Sequence, residues 1–180
     1  FNMLDPVVGG HQPDKVALRR AVALAYDSDE ELRLVRHGQG VPAQSVVAPF
    51  TSGYDADYRS EMSEHGPARA KALLDLYGYV DRDGDGWRER PDGSPLVLRL
   101  SSTTDQLSRR LNELWRKNLA KVVVRMEFDL ATWGDLLKRG RSASLMMWGY
   151  TWVAGTPDGG FFLGIAYGPN ANEANDSRFA

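Results

Sequence analysis

The residues best suited to chemistry lie in two clusters. The first is the run Asp81-Arg82-Asp83-Gly84-Asp85-Gly86. Its carboxylates fall at positions 1, 3 and 5 of a calcium loop, with glycine at position 6 for the sharp turn. Calcium needs several hard oxygens converging from one short segment. Continuing the same register, Trp87 would offer its backbone carbonyl, Glu89 position 9 and Asp92 position 12. Against a tight site, Asp92 is shorter than the usual glutamate, Pro91 sits inside the loop, and Arg82, Arg88 and Arg90 offset the charge. The competing reading is a solvated turn whose aspartates bond their own backbone. In either case the chemistry is structural: a possible bound calcium would brace the loop, and no cofactor is required.

The second cluster is aromatic. Trp148, Tyr150, Trp152, Phe161, Phe162 and Tyr167 place six of the chain's 18 aromatic residues within 20 positions. The segment runs from the apolar stretch SLMMWGY into a loop rich in glycine, threonine and proline. Ligands of parallel sheets bind beyond the carboxyl ends of strands, where stiff rings form walls and loop amides supply hydrogen bonds. The cluster is therefore read as a ligand wall, with Trp152 at the strand end as its centre and Trp148 and Tyr150 on the same strand face. Thr156, Pro157 and Asp158 suit the N-cap, N1 and N2 positions of a helix, which gives Asp158 a structural reading beside a ligand-binding one.

Nothing else forms a catalytic constellation. His11, His37 and His65 have no metal-ligand spacing, and Ser45, Ser101 and Ser102 lack a nucleophile-elbow context. There is no cysteine, which excludes disulfides and thiolate chemistry. The formal charge of −2 argues against nucleic-acid binding. No apolar run is long enough to span a membrane.

The elements that must position these clusters alternate. Helical periodicity follows Pro13 and Asp14, with Asp14 as the expected cap; a second helix is expected from Asp29, stopped by Gly38. Residues 38 to 60 carry no period. Pro67 opens a helix that Gly78 ends, and PLVLRL is a strand. From Asp105 to Lys121, Leu107, Leu111, Leu114, Trp115, Asn118 and Leu119 form one stripe of an amphipathic helix. VVVRMEF is a second strand. Thr132 and Asp135 form a capping box for a short helix stopped by Gly140, and SLMMWGY is a third strand, expected to be central. Phe1 to Leu4 reads as a strand end. This order predicts an α/β fold with a largely parallel sheet flanked by helices.

In order along the chain, LRRAVALAYDSDE (18 to 30), GQGVPAQSVVAP (38 to 49), GPARAKALLDLYGY (66 to 79), DRDGDGWRERPDGSPLVLRL (81 to 100), LAKVVVRMEFDLATWGDLLKRG (119 to 140) and LMMWGYTWVAGTPDGGFF (145 to 162) resemble the family 5 solute-binding proteins of bacterial ABC importers, the oligopeptide, dipeptide and nickel binders. The resemblance covers essentially the whole chain. It implies the C-terminal lobe of a type II periplasmic-binding-protein fold, with residues 1–180 as one truncated lobe of a two-lobe protein. It also implies a monomer at the periplasmic or extracellular face of the cytoplasmic membrane, passing a peptide-like or other small solute to ABC permease subunits without covalent chemistry. Carried over by position, Trp152 matches the family's pocket tryptophan and Thr156 a position where an aromatic is frequent. Peptide binders commonly place an aspartate three residues after that tryptophan, to pair with the ligand's amine; here the position is Gly155. Val123 stands where the family often has glycine. The rival readings are a stand-alone calcium-binding module on the 81 to 92 loop and a carbohydrate-active enzyme fragment, which would need two carboxylates about 5 to 9.5 Å apart in the aromatic cleft.

Overall fold

The computed structural model describes residues 1–149, 151–171 and 173–179. Its helices are α1 (Pro13–Ala25), α2 (Ser28–Leu34), α3 (Pro67–Leu76), α4 (Gln106–Lys121), α5 (Trp133–Arg141) and the single turn α6 (Gly160–Leu163); its strands are β1 (Val97–Ser102), β2 (Arg125–Leu130) and β3 (Met147–Trp148). The strands form one parallel sheet in the order β2-β1-β3. The expected α/β class, parallel sheet and flanking helices are all present.

Alternation along the strands separates the two faces of the sheet. Leu96, Leu98, Val124 and Met126 point into the core, where they meet Leu119 and Val122 from the end of α4, Leu18 and Val22 of α1, Leu74 of α3, and Tyr79. The opposite face is polar. There Arg99 pairs with Glu127 across the register at 3.3 Å, and Ser101 donates to Asp129 at 3.1 Å. The helix α4 is capped by Asp105, whose carboxylate accepts from Ser108 N at 3.0 Å. Its stripe is buried at Leu114, Asn118 and Leu119, but Leu107 in the first turn is 43% exposed; burial begins a turn later, where Asn112 donates to Ser102 Oγ.

Several expectations shift. Gln12, not Asp14, caps α1, because Pro13 takes the first helical position and leaves Asp14 in the first turn. Asp27, not Asp29, caps α2, accepting from Glu30 N at 2.8 Å, and α2 ends at Leu34, short of Gly38. The third strand is not central: β1 lies in the middle, and β3 has only two residues. Its apolar character has another cause. The N-terminal segment runs along its far side, where Asn2 N donates to Met146 O at 3.0 Å and Met3 N to Ser177 O at 2.8 Å. Phe1 to Leu4 thus covers the edge of β3 without forming a strand. Val123 takes a φ of 63°, the left-handed region that disfavours β-branched residues. A glycine, which the resemblance implies is frequent at this position, would adopt this conformation without that penalty.

Candidate functional site

The carboxyl end of β3 carries Trp148, opposite Ser101 of β1. Its indole lies against the backbone of Gly140 in α5, where an added Cβ would come within 2.3 Å of the ring. Gly140 was expected to stop this helix. Instead the helix continues to Arg141, and the glycine is buried inside it to admit the tryptophan. The capping box that starts α5 forms as expected, with Thr132 Oγ1 accepting from Asp135 N and donating to the Asp135 carboxylate. Trp133 places a second indole 6.1 Å from Trp148, centroid to centroid.

Four residues beyond Trp148, Trp152 is half-buried and meets Phe161 edge-on at 5.7 Å; Phe161 in turn meets Phe162 at 5.5 Å. Trp148 and Trp152 line one cavity of about 230 Å³. Its other walls come from distant parts of the chain: Asn2 at the N-terminal end, Leu145 before β3, and Ile165, Asp176 and Ser177 near the C-terminal end.

Those last walls are held by buried amides. Asn2 Nδ2 donates to Ala143 O at 2.7 Å and Leu145 O at 3.0 Å. Asn175 is fully buried and uses its whole hydrogen-bonding capacity. Its Nδ2 donates to Tyr167 O and Phe179 O, and its Oδ1 accepts from Ser177 Oγ and Phe179 N. Neither asparagine stands out in the sequence, because no periodic pattern or motif surrounds it.

Gly155, Thr156 and Asp158 are exposed and do not line that cavity. Tyr150 lies outside the described residues. Pro157 to Gly159 do not begin a helix; they pair in parallel with Ser52. Ser52 N donates to Pro157 O at 2.8 Å, Gly159 N to Ser52 O at 3.1 Å, and Ser52 Oγ to the Asp158 carboxylate at 3.3 Å, which also accepts from Gly160 N. Backbone bonds of Pro157 O and Gly159 N to Ser52 take up these groups, and the single helical turn starts only at Gly160, with Gly159 at its N-cap. Asp158 therefore fastens the irregular 38 to 60 segment to the loop that follows Trp152.

Gly159 makes this fastening possible, since a Cβ there would stand 2.3 Å from Ser52 O and 2.7 Å from Val47 Cγ1. Gly159→Ala is expected to separate the two loops at a cost of about 1–3 kcal/mol. Hydrogen exchange would show it as lost protection at the Ser52 and Gly159 amides; unchanged protection would contradict the fastening.

The acidic loop brings Asp81, Asp83, Asp85 and Glu89 together, with one carboxylate oxygen of each within 4.8 Å of the others. This is a donor set for a hard cation such as calcium. Asp92, the expected twelfth position, is not among them. It accepts from Ser94 and lies 3.6 Å from Arg90, because the chain turns back at residues 90 to 94. The clustered carboxylates also hold the loop themselves. Asp81 accepts from Gly84 N and Gly86 N, Asp83 from Asp85 N, Asp85 from Trp87 N and from Arg125, and buried Glu89 from Arg82 N. The Arg125 guanidinium stacks over Trp87 at 5.4 Å.

The family model for bacterial extracellular solute-binding proteins, family 5 middle, matches residues 1–174. The di/tripeptide-binding protein 2 of Pseudomonas aeruginosa (strain UCBPP-PA14) is 29% identical over 171 residues, covering 93% of this chain and 30% of the relative. The dipeptide-binding protein of Escherichia coli (strain K12) is 28% identical over 169 residues, covering 92% and 30%. The chain thus spans about a third of the length of these curated relatives. Among solved structures, the oligopeptide-binding protein AppA from Bacillus subtilis, in complex with a nonapeptide, superposes over all of this chain and 35% of its own, with a TM-score of 0.85 at 18% identity. NikA from Brucella suis, in complex with Fe(III)-EDTA, gives a TM-score of 0.73 at 23% identity over 91% and 31%. At those identities the likeness is one of fold. By the family match along nearly its whole length, this chain belongs to the bacterial extracellular solute-binding proteins of family 5.

Proposed function

We propose that the protein is the solute-binding component of a bacterial ABC importer. It works outside the cytoplasmic membrane, captures a peptide-like small solute and hands it to the permease without covalent chemistry. Residues 1–180 supply one α/β wall of the ligand cleft in this reading, and a second lobe would close over it.

The observation that carries the reading is the meeting of Trp148 and Trp152 in one cavity at the carboxyl end of β3, in a chain of this family. Aromatic walls at a strand end bind by area and shape. The cavity's described lining residues include one carboxylate, Asp176, whereas glycoside hydrolysis uses a facing pair. The relatives whose names specify di- and tripeptides favour a short peptide as the solute. Calcium at Asp81, Asp83, Asp85 and Glu89 is proposed only as a brace for that loop; no part of solute capture runs through it.

The test is to purify the protein, as its natural gene encodes it, under native conditions and then denature it. Mass spectrometry of the released fraction should identify a stoichiometric small molecule of peptide-like composition. A protein that releases nothing, and retains nothing from a randomised peptide mixture, would remove this reading.

A further inference from the structure

The loop after Trp152 is tied to a segment whose shape its own sequence opposes. Residues 38 to 60 form a strap. Its base is held on the first two helices: Gly38 N donates to Leu32 O at 2.8 Å, and Glu61, just past its end, pairs with Arg20 at 3.1 Å. Its apex is the turn Ala48-Pro49-Phe50-Thr51. Thr51 closes the turn, donating to Ala48 O from its backbone N at 3.4 Å and from Oγ1 at 2.7 Å. Phe50 stands third in this turn with a φ of 66°. A turn with positive φ at that place calls for glycine or asparagine, and a bulky residue there is strained. The Phe50 ring is fully exposed, so burial of the side chain does not offset the strain.

Strained backbone persists where neighbouring contacts over-determine it. Here the neighbour is Ser52, clasped to Pro157 through its backbone N–H, to Gly159 through its carbonyl and to Asp158 through its hydroxyl. Opening the clasp would let Phe50 relax, which brings the open state closer in energy than it would be for an unstrained strap. The far side of the clasp leads directly to the cavity. Phe161 N donates to Asp158 O at 3.3 Å and Phe162 N to Gly159 O at 3.0 Å, while the Phe161 ring meets Trp152 at 5.7 Å. Trp152 lines the cavity, so a solute resting on it bears on the residues that hold Ser52.

We propose that the strap is a two-state device coupled to solute binding. With solute against Trp152 the clasp is shut and Phe50 is held left-handed; with the cavity empty the clasp opens more often and Phe50 relaxes. Occupancy of the cavity thereby sets the shape of a surface outside it. The proposal rests on the solute-binding reading above and adds the conformational change that binding drives. Such coupling is reciprocal: whatever the solute adds to the clasp, the clasp adds to solute affinity.

Hydrogen exchange is followed on the natural full-length protein, stripped of its co-purified solute and again with solute added back. The probe is the small-molecule fraction released by the denatured protein or, where none is released, a randomised tripeptide mixture. Solute should raise protection at the Ser52 and Gly159 amides at least about fivefold, with the Gly38 amide at the strap's base unchanged. Phe50→Asn, which suits the turn, should raise unliganded protection at both amides severalfold and leave retention of the probe equal or higher. Gly159→Ala, which opens the clasp, should lower retention at least about fivefold. Four results would overturn the coupling and leave solute binding standing: a retained probe that leaves both amides unchanged, an equal rise at Gly38, protection unmoved by Phe50→Asn, or reduced retention in Phe50→Asn. If Gly159→Ala does not fold, wild type and Phe50→Asn decide. A protein that releases nothing and retains no tripeptide overturns the solute-binding reading and the coupling together.

Discussion

Replacing Asn175 by alanine is expected to release the far wall of the cavity before it unfolds the protein. The fully buried amide makes two donor and two acceptor bonds, to Tyr167 O, Phe179 O, Ser177 Oγ and Phe179 N. Alanine removes all four, each worth about 0.5–1.5 kcal/mol net, although Tyr167 O still accepts from Asn170 N and Phe179 N can still donate to Ser177 Oγ. The sum would exceed what the segment from Tyr167 to Phe179 contributes by staying docked. Local detachment is then the cheaper response, and it caps the measured loss at about 3–4 kcal/mol. Because Ala174, Asp176 and Ser177 line the cavity from this segment, solute affinity should fall with it. Hydrogen exchange should show residues 167 to 179 losing protection while β1 and α4 keep theirs. Uniform loss across the chain, or none, would contradict this role for Asn175.

Gly140→Ala is the second large effect, and its sign opposes helix propensity. Gly140 lies inside α5 without a positive φ, so intrinsic propensity alone favours alanine by about 1 kcal/mol. The new Cβ would stand 2.3, 2.6 and 2.9 Å from three atoms of the Trp148 ring. These atoms belong to a rigid ring and cannot bend away singly. Either α5 moves off the sheet edge or the indole swings out, and such overpacking costs about 1–3 kcal/mol. The steric term wins. Gly140→Ala should destabilise the protein in a denaturant titration, shift tryptophan emission, and weaken solute binding, because Trp148 is a wall of the cavity. A stabilised variant with unchanged emission would show that the indole does not rest on this glycine.

Much of the frame was legible in the sequence, where local rules decide. Asp105 before a sustained apolar stripe, Pro67 and Gly78 around one helix, and Thr132 with Asp135 before another all act within a turn or two, and all hold in the structure. The acidic loop was likewise readable, because Asp81, Asp83 and Asp85 lie within five residues. What failed depends on partners that are distant in sequence. Gly140 looks like a helix stop until the Trp148 ring occupies the space above it. The apolar run at β3 looks like a central strand until Asn2 is found covering its edge, 144 residues away in Met146. Thr156 to Asp158 look like a helix start until Ser52 claims their backbone. At the site itself, spacing pointed to Trp148 and Trp152, whereas Asn2, Asn175 and Asp176 carry no local signal and emerge only when both ends of the chain meet β3.

The central claim is that the strand end at Trp148 and Trp152 forms the wall against which the solute rests. Calorimetric titration of the natural protein with the solute it releases on denaturation, repeated on Trp152→Ala, tests it most directly. A buried aromatic wall predicts at least about a tenfold loss of affinity, with the melting temperature of the unliganded protein little changed. A folded Trp152→Ala protein that binds that solute as tightly as wild type would contradict the claim.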